Sequence, residues 1–107
     1  MAINTKKSAK PIGAYVHAKE VGGFVFLSGI GPRDPETDKI PKGIEEQTHA
    51  VFRNVNAVLE ACNLEMKNVV DIMVFLTNME EDFKKFNEIY GDYIEGYEVN
   101  SMAIEGL

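Results

Sequence analysis

Several polar residues of this chain are suited to holding a small acidic molecule, and they stand where predicted elements begin or end. Ser28-Gly29 follows an apolar run, and Arg33 lies in the loop just after it. Tyr15 lies on the first candidate strand, and Asn87 lies on the second candidate helix. Hydroxyl and backbone N–H donors stabilise negative charge, and a guanidinium binds a carboxylate through two parallel hydrogen bonds. Each residue also has an ordinary structural interpretation, so these positions alone indicate a site without specifying a reaction.

Other kinds of chemistry find little support in the residues. His17 and His49 are separated by a predicted strand and a loop, and no cysteine or acidic pair has a spacing usual for zinc. Cys62 lies on the apolar side of a predicted helix, where a small core residue is expected rather than a nucleophile. The Gly29-Ile30-Gly31 tripeptide lacks the rest of a dinucleotide fingerprint, and Ser28 is outside a G-x-S-x-G context. The residues therefore give little support for a metal site, and they contain no complete dinucleotide-binding or serine-nucleophile motif.

Length and charge limit the classes of protein to consider. The 107 residues predict a single domain over residues 1–107. A net charge of −6 argues against nucleic acid as a partner, because phosphate binding needs a basic face. The basic cluster Lys6, Lys7 and Lys10 is interpreted as a solubilising tail in a frayed N-terminus. The single cysteine and the lack of a signal peptide or a run of ~20 apolar residues predict a cytoplasmic protein without a membrane partner.

Hydrophobic periodicity predicts an α+β domain with the element order β-β-α-β-α-β. Asn63 is expected to end the first helix, and Asn78 with Glu81 resembles a capping box at the start of the second. The candidate strands are residues 15–20, 24–27, 69–76 and 98–104, and the candidate helices are residues 44–62 and a stretch that places Phe83, Phe86, Ile89, Tyr90 and Tyr93 on one side.

Two of the strands are apolar on both faces. Residues 24–27 read FVFL, and residues 72–76 read IMVFL. Strands with consecutive apolar residues are usually buried on both sides. Two helices can cover only one face of such a sheet, and the chain has too few helices to cover both. The other face therefore predicts a partner, for which another copy of the same chain is the simplest candidate.

Taken together, the segments resemble the Rid (YjgF-like, reactive intermediate deaminase) family over nearly the whole chain and in order. The combination of Tyr15, Ser28-Gly29 and the VFLTNM stretch is specific, although no single piece is. The HAK tripeptide after Val16 and the GIGPRDP loop look most like the 2-aminomuconate deaminase branch. The matching stretches are residues 11–35 (the N-terminal half), 44–64 (the first helix), 68–94 (the central strand and second helix) and 98–107 (the closing strand).

The resemblance implies a chorismate-mutase-like α+β fold, in which two helices pack on one face of a β-sheet. It also implies a homotrimer with three sites at subunit interfaces, and hydrolysis of an imino or enamino acid such as 2-aminomuconate without any cofactor. Matched residue by residue, Tyr15 and Ser28-Gly29 line the pocket, Asn87 enters from the second helix, and Glu98 positions the attacking water. Arg33, from its place in the loop, and His17, in the HAK tripeptide, are added as substrate-binding candidates.

These residue types suit the implied reaction. An imine needs a proton at nitrogen and a water molecule at carbon, and a carboxylate can orient that water and move its proton. Hydroxyl and backbone N–H donors can hold the substrate carboxylate. Because the substrate is already reactive, positioning supplies much of the catalysis.

The sequence departs from the family pattern between the second helix and the last strand. The family carries an arginine there, in a P-x-R-T-T-V-E-V type segment that clamps the substrate carboxylate, whereas Gly96-Tyr97 runs directly into Glu98 here. A strand pair with its turn needs ~15–20 residues. We expect that the protein has internal loop residues that this sequence does not contain, near residues 43/44 and 96/98. The reason is that losing one internal strand would leave a gap in the hydrogen-bond ladder of the sheet. The alternative is a shortened relative, in which Arg33 is the cation left to bind the carboxylate.

Three functions compete at this point. The first is the deaminase. The second is a non-catalytic family member that binds small metabolites, which the missing arginine segment favours. The third is a ribonuclease or translation inhibitor, against which the acidic charge weighs.

Overall fold

Five strands and two α-helices follow one another in the computed structural model, which describes residues 1–11 and 13–106. The prediction of an α+β domain is confirmed, and a short 3₁₀ turn over Met66–Asn68 is added to it. The elements are β1 (Ala2–Ile3), β2 (Ala18–Val21), β3 (Phe24–Leu27), α1 (Ile44–Ala61), β4 (Asp71–Leu76), α2 (Met79–Ile94) and β5 (Asn100–Glu105).

The N-terminal strands form an antiparallel group with β2 in the centre. Gly22 and Gly23 both have positive φ angles, 59° and 84°, which suit a two-residue hairpin turn between β2 and β3. The sequence predicted a frayed N-terminus, and this prediction is wrong. Strand β1 pairs with β2, and the Glu20 N–H donates to the Met1 carbonyl. The predicted first strand also started too early, since Tyr15 lies in the irregular segment before β2.

Helix α1 ends, and helix α2 begins, where the sequence predicts. Asn63, at φ 59°, closes α1 in the left-handed conformation, and the Leu64 N–H donates to the Leu59 carbonyl across the last turn. At the start of α2, the Asn78 side chain accepts from the Glu81 N–H at 3.2 Å and donates to the Glu81 carboxylate at 2.9 Å. Local capping chemistry therefore sets these two boundaries.

The core lies between the helices and one face of β4. Phe52 of α1, Leu76 of β4, and Phe86 and Tyr90 of α2 form one buried cluster. The Phe52 ring stacks on Tyr93, with centroids 4.1 Å apart. This packing places the two helices on the same side of the strands, as the resemblance implied.

The second strand group is the parallel pair of β4 and β5, which are connected through α2. All six residues of β4 pair with β5, from Asp71 with Asn100 to Leu76 with Glu105. The hydrogen-bond ladder between β4 and β5 is therefore continuous, with no gap where a strand could be missing. Only residues 95–99 separate α2 from β5, and Gly96 turns the chain with φ 85°.

The face of β4 and β5 opposite the helices is exposed and apolar. Met73 and Phe75 alternate with the inward Ile72 and Val74, and their cross-strand neighbours are Met102 and Ile104. The side chain of Phe75 is 64% exposed, as is that of Phe24 on β3. Exposed patches of this kind commonly mark interaction sites. The prediction that two helices leave one strand face uncovered is confirmed for this chain.

Neither helix has the length and apolar character needed to cross a membrane, within residues 1–11 and 13–106.

Candidate functional site

A cavity of about 260 Å³ opens between the N-terminal segment and the loop that follows β3. Its walls are residues 8–11, Tyr15 and His17 on one side and residues 28–33 and Ile40 on the other. Because β2 and β3 are paired, the segment entering β2 and the segment leaving β3 lie at the same edge of the sheet. The hairpin therefore brings together two stretches that are separate in sequence.

Five of the seven predicted site residues line this cavity: Tyr15, His17, Ser28, Gly29 and Arg33. Asn87 and Glu98 do not line it. Asn87 is exposed on α2, and Glu98 is exposed in the connection between α2 and β5. A single chain thus assembles one part of the predicted site and leaves the proposed acid outside it.

Ser28 connects the two walls of the cavity. Its hydroxyl donates to the Val16 carbonyl at 2.6 Å, and its backbone N–H donates to the His17 carbonyl at 3.0 Å. The hydroxyl proton is therefore used within the protein, and the oxygen keeps its capacity to accept. In this arrangement Ser28 holds the segment around Tyr15 in place and does not offer its proton to a substrate.

His17 is buried and bonded through both ring nitrogens. Nδ1 accepts from the Thr5 N–H at 3.1 Å, so Nε2 carries the proton and donates to the Ala9 carbonyl at 2.8 Å. The backbone N–H of His17 donates in turn to the Asn4 side chain. These bonds make His17 part of the cavity wall that fixes residues 4–9, while its ring has no free nitrogen for a ligand.

Arg33 lies at the edge of the cavity beside an acidic turn. Its Nη1 donates to the Asp38 carbonyl at 2.9 Å, and Nε lies 3.7 Å from the Asp38 carboxylate. The partner of Arg33 in this turn is thus Asp38. Backbone N–H groups of Thr37 and, to a smaller extent, Glu36 hold the pKa of Asp34 below its ordinary value, since both donate to its carboxylate. Asp34 therefore stabilises the turn that carries Asp38.

Asn54 is a residue of this site that the sequence interpretation missed. Its side chain is fully buried on α1, where Nδ2 donates to the carbonyls of Gly31 at 2.9 Å and Arg33 at 2.8 Å. Its Oδ1 accepts from the Ala9 N–H at 3.4 Å. One amide thus ties both cavity walls to α1. The available signal was a polar residue four positions before Val58, on the buried side of the helix.

Cys62 is half-buried after the last turn of α1. Burial, with the Glu20 carboxylate as a smaller cause, raises the pKa of its thiol. The folded protein therefore holds less of the reactive thiolate at neutral pH than an unperturbed cysteine would. Among residues 1–11 and 13–106, no cluster of three or more His, Cys, Asp or Glu side chains is arranged to hold a metal ion.

The family model and the relatives that match this chain all point to the same family. The family model described as endoribonuclease L-PSP matches residues 5–105. A RutC family protein of Aquifex aeolicus is 41% identical over 102 residues, which cover 95% of this chain and 81% of the relative. TdcF of Escherichia coli, by its name a candidate reactive intermediate deaminase, is 31% identical over 96 residues, covering 90% of this chain and 74% of TdcF.

Solved structures agree with the fold. RidA from an Antarctic Psychrobacter species superposes with a TM-score of 0.92 at 33% identity, covering 99% of this chain and 85% of RidA. Escherichia coli TdcF with bound serine superposes with a TM-score of 0.87 at 28% identity, covering 100% of this chain and 87% of TdcF. The strand and helix arrangement described above is therefore shared with these proteins.

Replacing Asn54 with alanine should destabilise the fold by about 1–3 kcal/mol, because two carbonyls and one N–H lose their buried partner. Asn56→Ala is the matched control, since Asn56 is exposed on the same helix. Its effect should stay within about 0.5 kcal/mol. Urea unfolding at one fixed protein concentration gives both values, and equal stabilities for the two variants would contradict the bracing role of Asn54.

Alkylation of Cys62 by iodoacetamide at pH 8 should be slower in the folded protein than in the urea-unfolded chain. A raised thiol pKa leaves less thiolate at that pH, and partial burial limits access. The labelled fraction over time, followed by mass spectrometry, measures the difference. A faster reaction in the folded state would point to an activated thiol and against a structural role.

Proposed function

The chain belongs to the Rid (YjgF-like) family, and we propose that it hydrolyses a reactive imino or enamino acid and releases ammonia. The observation that carries this proposal is the cavity, which collects Tyr15, Gly29 and Arg33 in one place. TdcF, the relative named as a candidate reactive intermediate deaminase, supports the reaction class. The serine held by TdcF in its solved structure supports a small, acid-bearing ligand.

The proposed reaction needs few chemical groups. An enamino acid first moves a proton from its nitrogen to its β-carbon and becomes the imine. Water then adds to the carbon of the C=N bond, with its oxygen forming the C–O bond and one of its protons going to the nitrogen. The new hydroxyl group gives its proton to the nitrogen as the C–N bond breaks, which leaves a carbonyl and ammonia. Arg33 binds the substrate carboxylate, and Tyr15 lines the same cavity. Glu98 holds the attacking water and accepts its proton. No step requires a metal ion or an organic cofactor.

Assembly as a homotrimer, with sites at the interfaces, would complete this site. Asn87 and Glu98 lie outside the cavity within one chain, so they need a neighbouring subunit to approach a bound substrate. The exposed apolar face of β4 and β5 supplies a surface for that neighbour. A trimer therefore accounts for two features of the isolated chain together.

Light scattering should give three times the 11.9 kDa chain mass. Phe75→Glu should shift the protein toward the monomer, because it places a charge in the centre of the apolar face. Lys84→Glu introduces the same residue at an exposed position of α2 and should leave the trimer intact. A wild-type protein that stays monomeric at micromolar concentration would contradict both the assembly and the shared site.

Glu98→Gln should lower kcat by about 100-fold or more while leaving the oligomer unchanged, because an amide cannot accept the proton of water. Glu95→Gln, at another exposed acid of the same connection, is the control and should retain activity. The assay is ammonia release from an enamine acid generated in place. Near-normal release by the Glu98 variant would remove this residue from its proposed role.

2-Aminomuconate is the substrate proposed from the resemblance of the HAK and GIGPRDP stretches to the 2-aminomuconate deaminase branch.

The second candidate function is that of a non-catalytic metabolite-binding protein, favoured by the position of Glu98 outside the cavity. A ribonuclease, the activity in the description of the matching family model, is disfavoured by the net charge of −6. Ammonia release, ligand binding and RNA cleavage measured side by side distinguish the three, and a cytoplasmic location remains a prediction.

A further inference from the structure

The cavity is electropositive in an acidic protein. Its ionisable lining residues are Lys10, Tyr15, His17 and Arg33, and no carboxylate lines it among residues 1–11 and 13–106. The whole chain carries a net charge of −6. The charged side chains that line this cavity are thus the two cations Lys10 and Arg33, and the nearest described carboxylate partner, that of Asp38, lies beside Arg33 in the adjoining space. Clefts lined by a single sign of charge concentrate ligands of the opposite sign.

We propose that Lys10 is a second anion-binding residue and that the cavity takes a substrate with two carboxylates. This inference rests on the proposed function, because it assigns the substrate class of the same site. Arg33 binds the carboxylate next to the reacting carbon, and Lys10 binds the carboxylate at the far end. Lys10 therefore determines specificity and takes no part in the reaction itself.

Lys10 is anchored at the cavity and is not part of a free tail. The preceding residue, Ala9, is bonded on both sides of its backbone: its N–H donates to Asn54, and its carbonyl accepts from His17 Nε2. The following residue is Pro11, whose ring fixes φ and which also lines the cavity. These restraints keep the backbone of Lys10 at the cavity wall.

The same side chain that anchors Ala9 also anchors Arg33. Asn54 donates to the Arg33 carbonyl at 2.8 Å while it accepts from the Ala9 N–H. The backbones that carry the two cations are therefore fixed to one buried amide, across 45 and 21 positions of sequence. Such a common brace holds the two backbones at a constant separation, from which the two side chains can reach opposite ends of a ligand.

The two cations also differ in how far protein groups neutralise them. A more open extension of the cavity is lined by Lys10, Pro11, Arg33 and Asp38, and in it the Asp38 carboxylate lies 3.7 Å from Arg33 Nε. Lys10 has no ion pair within residues 1–11 and 13–106, whereas the nearby Lys7 pairs with Glu60 at 3.2 Å. The charge of Lys10 is therefore available to a ligand, as a mobile point charge that tolerates different chain lengths.

Calorimetric titration of the intact protein with unreactive acids tests this assignment without any turnover. The probes are succinate and adipate, compared with butyrate and hexanoate of the same carbon number. We expect the wild type to bind each dicarboxylate about three- to tenfold more tightly than its monocarboxylate, the range of a partly exposed charge pair. Lys10→Met should abolish this preference and leave butyrate and hexanoate binding unchanged, which also shows that the variant is folded.

Lys6→Met is the matched control, because Lys6 is an exposed lysine of the same segment that does not line the cavity. It should keep the preference. Three results would overturn the proposal: no preference or no binding in the wild type, an equal loss in both lysine variants, or inorganic phosphate binding as tightly as succinate. The last result would mean that the two cations form one compact anion site.

Ammonia release from an enamine acid, assayed in parallel, separates this inference from the proposed function. A Lys10-dependent dicarboxylate preference without ammonia release would retain the anion site and reject the deaminase. Ammonia release without that preference would retain the deaminase and reject the role of Lys10.

Discussion

The buried amide of Asn54 is the interaction on which the cavity depends. Its three hydrogen bonds attach the N-terminal segment and the loop after β3 to the middle of α1. Loop backbone groups that are removed from water must find partners within the protein, and Asn54 supplies them at a point where no strand passes. A cavity formed by irregular segments is thereby given the rigidity of a helix.

A second constraint comes from the strands. Their inward side chains join the core with Phe52 and Phe86, while Met73 and Phe75 remain on the open face. A small domain has limited surface to bury, and two helices are insufficient to cover both faces of the strands. In the proposed trimer, the same face that stabilises the assembly would bring Asn87 and Glu98 toward a neighbour's cavity. Stability and catalysis would then depend on one interface.

The charges follow a compatible pattern. The acidic residues of the loop after β3 serve its turn, where Asp34 accepts backbone N–H groups and Asp38 contacts Arg33. The cavity itself contains cations, histidine and hydroxyl groups. This separation suits an anionic ligand and disfavours a polyanion, which would need a broad basic surface. Arg33 and Lys10 are the cations that line the cavity.

The sequence by itself determined the local structure. Hydrophobic periodicity located both helices, Asn63 marked the end of α1, and Asn78 marked the start of α2. The apolar runs identified strands whose two faces both need to be buried. Each of these signals is contained in a few neighbouring residues, so the sequence alone shows it. Tyr15, Ser28, Gly29 and Arg33, which line the cavity, were already candidates from their positions in the sequence, and the family resemblance added the fold and the roles of most of them. The tertiary structure alone decided that Ser28 and His17 use their protons within the protein, that Asn54 braces both walls, and that Lys10 belongs to the site. These outcomes depend on hydrogen bonds between residues 8 to 45 positions apart, which are fixed by the path of the chain and leave no periodic trace in the sequence.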